Sequence, residues 1–104
     1  MVEIEYYENG NVWYEIPHKN GKRHGVAKWY DENGNLRYET PHKNGKRHGV
    51  AKGYYENGNV WYETPFVNGK QHGLCKEFNE KGEVVSKELY ICGELIRSVE
   101  FKRR

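Results

Sequence analysis

The residues best equipped for chemistry are the five histidines, His18, His24, His42, His48 and His72. All lie beside one kind of turn. A two-residue hairpin turn at Asn20-Gly21 sets His24 opposite Pro17 and next to His18. Paired histidines across a hairpin can bind zinc. No cysteine or carboxylate completes a four-ligand set here, so the histidines read as solvated turn residues and no metal is expected. Cys75 and Cys92 have neither metal nor redox spacing. They read as unrelated free thiols in a reducing compartment. Ser86 and Ser98 are the only serines. The chain has no Gly-rich phosphate loop, no nucleophile elbow and no triad. The expectation is therefore a non-enzyme without a cofactor.

Chemistry of another kind comes from the elements. The chain of 104 residues is one domain, with 36% apolar, 31% charged and 14% aromatic residues. That composition suits a thin sheet with much solvated surface, and its aromatics exclude a disordered chain. A net charge of +2 is too small to imply nucleic acid. No signal peptide or membrane span is visible, so the default expectation is cytoplasmic. Val2 aligns with Val26 and Val50, which places Met1 inside a repeat unit. That is the pattern of a chain missing an upstream segment.

Gly10, Gly34, Gly58 and Gly82 recur every 24 residues, and so do Gly21, Gly45, Gly69 and Gly93. A fixed period of this size marks a repeat architecture. Asn-Gly favours two-residue type I′ hairpins, and the segments between turns carry Val, Trp, Tyr and Leu, which favour strands. Pro17, Pro41 and Pro65 argue against helix. The expected fold is all-β: a single-layer, curled antiparallel meander of about nine strands, roughly 40 Å across at the usual strand spacing. Residues 1–104 form about four repeats, with 83–104 as a C-terminal capping hairpin.

With two-residue turns throughout, Tyr14 faces Ala27, Glu15 faces Val26, Trp29 faces Tyr38 and Lys28 faces Glu39. Tyr38 then faces Ala51, and Tyr62 faces Cys75. Alternation puts Val12, Leu36, Val60, Val84 and Val99 on a first face with these tyrosines and Tyr55. The second face takes Trp13, Trp61 and pairs such as Lys28–Glu39 and Lys52–Glu63. A bulge in any turn would exchange the faces locally.

The phrases Tyr6 to Val12, Asn20 to Gly25, Asn44 to Gly49 and Asn68 to Gly73 resemble the MORN repeat in its bacterial variant. The resemblance covers nearly the whole chain and fades after Gly82, where Ser86 and Arg97 replace the repeat's tyrosine and glycine. It implies a protein-binding scaffold, self-association or, by name, membrane occupation. Some bacterial members are antitoxins, for which the partner would be a toxin. It implies no catalytic residue.

Two surfaces follow as candidates. The first-face stripe of Tyr14, Trp29, Tyr38, Tyr55 and Tyr62 would bind a protein or a second copy, since tyrosine and tryptophan dominate interface hot spots. A meander also sends alternate turns to opposite margins. One margin collects Lys19, Lys22, Arg23, Lys43, Lys46, Arg47 and Lys70, and the other collects Glu8, Asp31, Glu32, Glu56, Glu80 and Glu83. The basic edge supports the alternative function, a membrane-surface adaptor on anionic head groups.

Overall fold

A computed structural model describes residues 1–101. The last residues of the expected capping hairpin, 102–104, lie outside the described residues. Twelve strands follow one another: β1 (Val2–Tyr6), β2 (Val12–Lys19), β3 (Lys22–Arg23), β4 (Gly25–Tyr30), β5 (Leu36–Lys43), β6 (Lys46–Arg47), β7 (Gly49–Tyr54), β8 (Val60–Val67), β9 (Lys70–Gln71), β10 (Gly73–Phe78), β11 (Val84–Ile91) and β12 (Glu94–Glu100). Nine of them form an open antiparallel meander in the order β1-β2-β4-β5-β7-β8-β10-β11-β12, while β3, β6 and β9 pair with β2, β5 and β8 at the hairpin tips. No helix occurs among the described residues. Extents of 43 × 31 × 13 Å are those of one layer, close to the expected width.

The Asn-Gly pairs form two different turns. At Asn20-Gly21, Asn44-Gly45 and Asn68-Gly69 both residues have positive φ, and Cys92-Gly93 does the same. These are the two-residue tips expected. At Gly10, Gly34, Gly58 and Gly82 only the glycine has positive φ. There Gly10 donates its N–H to the Tyr7 carbonyl and Tyr7 donates to Asn11, in a longer turn that inserts a bulge. Side chains at the first position brace two of these four turns. The Asp31 carboxylate accepts from the backbone N–H groups of Asn33 and Asn35, and Asn79 does the same for Lys81 and Glu83. A short polar side chain at the start of a turn makes such bonds readily.

Both turn types change the register. Across the bulge, Trp29 opposes Tyr38 as expected, but Tyr30 opposes Leu36, which leaves Arg37 over. Trp13, Trp61 and Val85 are left over in the same way. One extra residue reverses the alternation, so Val12, Leu36, Val60 and Val84 pair with residues of the second face. Val99, opposite Lys87, joins that face too. The expected pairing beyond the type I′ tips is also corrected. Tyr14 opposes Trp29 rather than Ala27, and Glu15 opposes Lys28 rather than Val26. Likewise Tyr38 opposes Gly53 and Tyr62 opposes Glu77. The cause is an offset of two residues after each of the first three tips, at His24-Gly25 and its equivalents, whereas after Cys92-Gly93 the shift is one residue, which is what moves Val99. Gly25, Gly49 and Gly73 have φ between +106° and +120°, and a Cβ at any of them would lie 2.9–3.1 Å from the ring of Pro17, Pro41 or Pro65. Only glycine fits so tight an approach in that conformation. An offset of two leaves each residue on its original face.

The small core lies on the first face. Ile16, Ala27, Ala51, Phe66 and Cys75 are the buried apolar residues. Small side chains at Ala27, Ala51 and Cys75 let the neighbouring strands close over them. Arg47 covers Phe66 from 4.3 Å.

Candidate functional site

Pairings across the sheet define rows of side chains. One first-face row runs Glu5–Tyr14–Trp29–Tyr38–Gly53–Tyr62–Glu77–Ser86–Glu100. The structure thus brings together four residues of the expected contact stripe, Tyr14, Trp29, Tyr38 and Tyr62. Tyr38 is 40% exposed. Tyr62 leans across Gly53, where a Cβ would meet its ring at 2.2 Å. Burial pushes the phenol pKa of Tyr62 up, with the neighbouring Tyr38 adding to the effect.

Tyr55 lies outside the pairing row, in the turn before β8, with its ring 6.0 Å from that of Trp61. Its hydroxyl donates to the Phe78 carbonyl at 2.7 Å, linking its hairpin to the next. Tyr7 makes the same bond to Tyr30 at 2.6 Å. Two tryptophans left out of the expected stripe join it instead. Trp13 packs edge-on against Tyr14 at 5.0 Å, and Trp61 against Tyr62 at 5.2 Å. Trp61 also donates its indole N–H to Glu77. Both are the extra residues of a bulge, which is why strict alternation assigned them to the other side. The signal that could have placed them is Asn-Gly-Asn after Tyr or Asp, which differs from the Asn-Gly-Lys of the simple tips.

Two shallow clefts open beside the row. One of about 280 Å³ is lined by residues that include Trp13, Trp29, Tyr38, Asp31 and Arg37. Asp31 and Arg37 lie 3.9 Å apart. Hydrogen bonds from the backbone of Asn35 and Asn33 lower the Asp31 pKa, and Arg37 contributes to the same shift. The other, of about 220 Å³, has Trp61, Tyr62, Cys75, Glu77, Ser86 and Glu88 in its wall. It exists because Ser86 occupies the place of a row tyrosine. Burial raises the Cys75 thiol pKa, and Glu88 raises it further, so this cysteine is kept as a neutral thiol.

The basic edge is a built structure. Lys19, Lys22, Arg23, Lys43, Lys46, Arg47 and Lys70 are exposed at the tips. Successive tips are tied together: Gly45 donates to the Arg23 carbonyl, Gly69 to Arg47 and Gly93 to Gln71, each at 2.8 Å. The histidines serve this stack. His24, His48 and His72 accept the backbone N–H of Asn44, Asn68 and Cys92 at Nδ1, 3.1–3.5 Å away. His18 and His42 donate from Nδ1 to the carbonyls of Ile16 and Thr40. Among the described residues no three of His, Cys, Asp and Glu gather in a way that could hold a metal ion.

The family model for the MORN repeat variant matches residues 1–20, 23–44, 47–68 and 71–91, in register with the hairpins. The chain belongs to the MORN-repeat family. Its fourth match extends past Gly82 to the end of β11, further than the eye follows the repeat. MORN repeats generally serve as binding or scaffold modules and are generally non-catalytic. No curated protein and no solved structure matches the chain.

Proposed function

We propose that this MORN-repeat chain is a non-catalytic protein-binding module whose contact surface is the aromatic first face. The carrying observation is the sign of the charges around the aromatics. The row through Tyr14 and Tyr62 includes Glu5, Glu77 and Glu100, and the adjoining row includes Glu3 and Glu88. Neither row contains a lysine or arginine, and the two cations beside them are engaged, Arg37 by Asp31 and Arg47 by the Phe66 ring. Aromatic faces flanked by carboxylates attract cationic side chains by both quadrupole and charge. The partner is therefore a protein segment bearing Lys or Arg. An antitoxin role is this same reading with a toxin as the partner, and an adjacent toxin-like reading frame would support it.

A second reading has its own observation, the continuous row of cationic tips. Such a row suits anionic lipid head groups at a membrane surface. In either reading the module works in the cytoplasm.

A peptide array of Lys/Arg-bearing segments tests the first reading. Capture is expected from the parent and from the triple variant Lys19→Glu, Lys43→Glu, Lys70→Glu. It is expected to fail in Tyr38→Ser and in Trp29→Ser. The reverse pattern, joined to co-sedimentation with phosphatidylserine vesicles, would move the function to the basic edge.

A further inference from the structure

The second face has an architecture that the binding reading leaves unused. Its central row runs Glu15–Lys28–Glu39–Lys52–Glu63–Lys76 over six neighbouring strands, alternating in sign at every step. Lys52 and Glu63 approach to 4.0 Å. Tyr30 donates its hydroxyl to Glu15 at 2.7 Å, and Tyr54 donates to Glu39. On one side of this ladder lies an apolar row in which Val26 opposes Pro41, Val50 opposes Pro65 and Leu74 opposes Leu89. On the other side Tyr30 opposes Leu36, Tyr54 opposes Val60 and Phe78 opposes Val84. Val26, Val50 and Leu74 are 42%, 45% and 43% exposed. They recur once per repeat, so they form a line rather than scattered surface residues. An uncovered apolar line of this kind marks a contact surface.

We infer that the occupant of this face is a second copy of the chain, packed sheet on sheet about a twofold axis. The argument is self-complementarity. A twofold axis parallel to the strands, placed between β5 and β7, reverses the strand order of the copy and keeps each row opposite its own kind. Glu39 then meets Lys52 of the copy, Lys28 meets Glu63, and Glu15 meets Lys76. Every carboxylate of the ladder faces an ammonium. In the same register Val50 meets Pro41 of the copy, and Val26 meets Pro65. Tyr54 meets Leu36, and Tyr30 meets Val60. Large and small apolar groups therefore alternate across the interface in both flanking rows. An even shift of strands would set like charges against each other, which isologous contacts penalise. Of the odd shifts, only the one between β5 and β7 superposes all six strands of the ladder.

The area suffices. The sheet measures 43 × 31 Å in its plane, and a stable interface needs about 800 Å² per partner. Sheets of this kind stack about 10 Å apart with strands within about 30° of one another. This proposal is independent of the first-face reading, because the dimer presents two aromatic faces outward.

Sedimentation analysis of the full chain tests it at two salt concentrations. A dimer is expected that weakens with added salt, since its central contacts are ionic. Val50→Lys should raise the dimer dissociation constant at least about tenfold, with the circular dichroism of the parent because Val50 is exposed. Tyr38→Ser should leave dimerisation unchanged. Register is read by mixing Glu15→Cys and Lys76→Cys chains, each also carrying Cys92→Ser, with a short bismaleimide. Covalent dimers are expected from that mixture and not from either chain alone, whose own cysteines would lie five strands apart. A chain that stays monomeric at high concentration, or a dimer broken by Tyr38→Ser and indifferent to Val50→Lys, overturns the proposal.

Discussion

Gly53 takes the place that Trp29 holds one repeat earlier, and the Tyr62 ring fills the space an indole would need. Gly53→Ala should push that ring aside. Alanine would gain about 0.5–1 kcal/mol over glycine in a strand, but a 2.2 Å contact cannot stand. A net loss of about 1–3 kcal/mol is expected from overpacking, read by urea unfolding. Titration gives a second test. Burial and hydrogen bonds to Glu15 and Glu39 raise the phenol pKa of Tyr30 and Tyr54 to about 12, against an ordinary value of 10.0. The folded state then holds protons that the unfolded state releases, so stability is present below pH 10 and is lost as pH rises towards 12. Thermal melts should show that loss, and Tyr30→Phe with Tyr54→Phe should shrink it. His42 works in the opposite direction. Burial lowers its pKa, helped by Arg23 and Arg47 and opposed by its bond to Thr40. Stability from this group is present above pH 6.5 and is lost as pH falls through the lowered value. His42→Phe, which copies Phe66 of the next repeat, should remove that acid sensitivity in the same melts.

Among the elements, the hairpins are joined in pairs along the acidic margin. Asn9 and Asn11 both donate their side-chain amides to the Glu32 carbonyl, and Asn57 and Asn59 do the same to Glu80. The middle junction lacks this grip because Asp31 caps its own turn, and Arg37 reaches the Tyr54 carbonyl at 3.1 Å instead. Tyr55→Phe should cost about 0.5–1.5 kcal/mol, the net value of one hydrogen bond. Hydrogen exchange should localise the loss at the β8–β10 junction. Strand number, turn positions and meander order were legible because glycine spacing alone carries them. The two register changes were not. Trp13 and Arg37 look like ordinary strand residues until the longer turn makes them surplus. His24-Gly25 hides its offset because two residues leave the alternation intact. The apolar line through Val26 and Val50 was overlooked for a related reason. A valine once per repeat is unremarkable along the chain and becomes continuous only when strands lie side by side.

At the scale of the molecule, hairpins repeated at one period imply that a whole unit is dispensable. Deleting residues 49–72, one period of 24, joins His48 to Gly73 in the setting that His72 has now. The shortened chain should keep an all-strand circular dichroism spectrum and melt at a lower temperature, as expected where each repeat contacts only its neighbours. Deleting 12 residues, half a period, would bring unlike turns to one margin and should abolish folding. The two margins also differ mechanically. Along the tips, every junction is held by a backbone bond of 2.8 Å. Along the acidic margin, the junction between the second and third hairpins has the Arg37 guanidinium where its neighbours have paired asparagine amides. A load drawing the open edges β1 and β12 apart would part that margin first. The sheet would spread like a hand fan pinned along its tips, with its slack midway along the array.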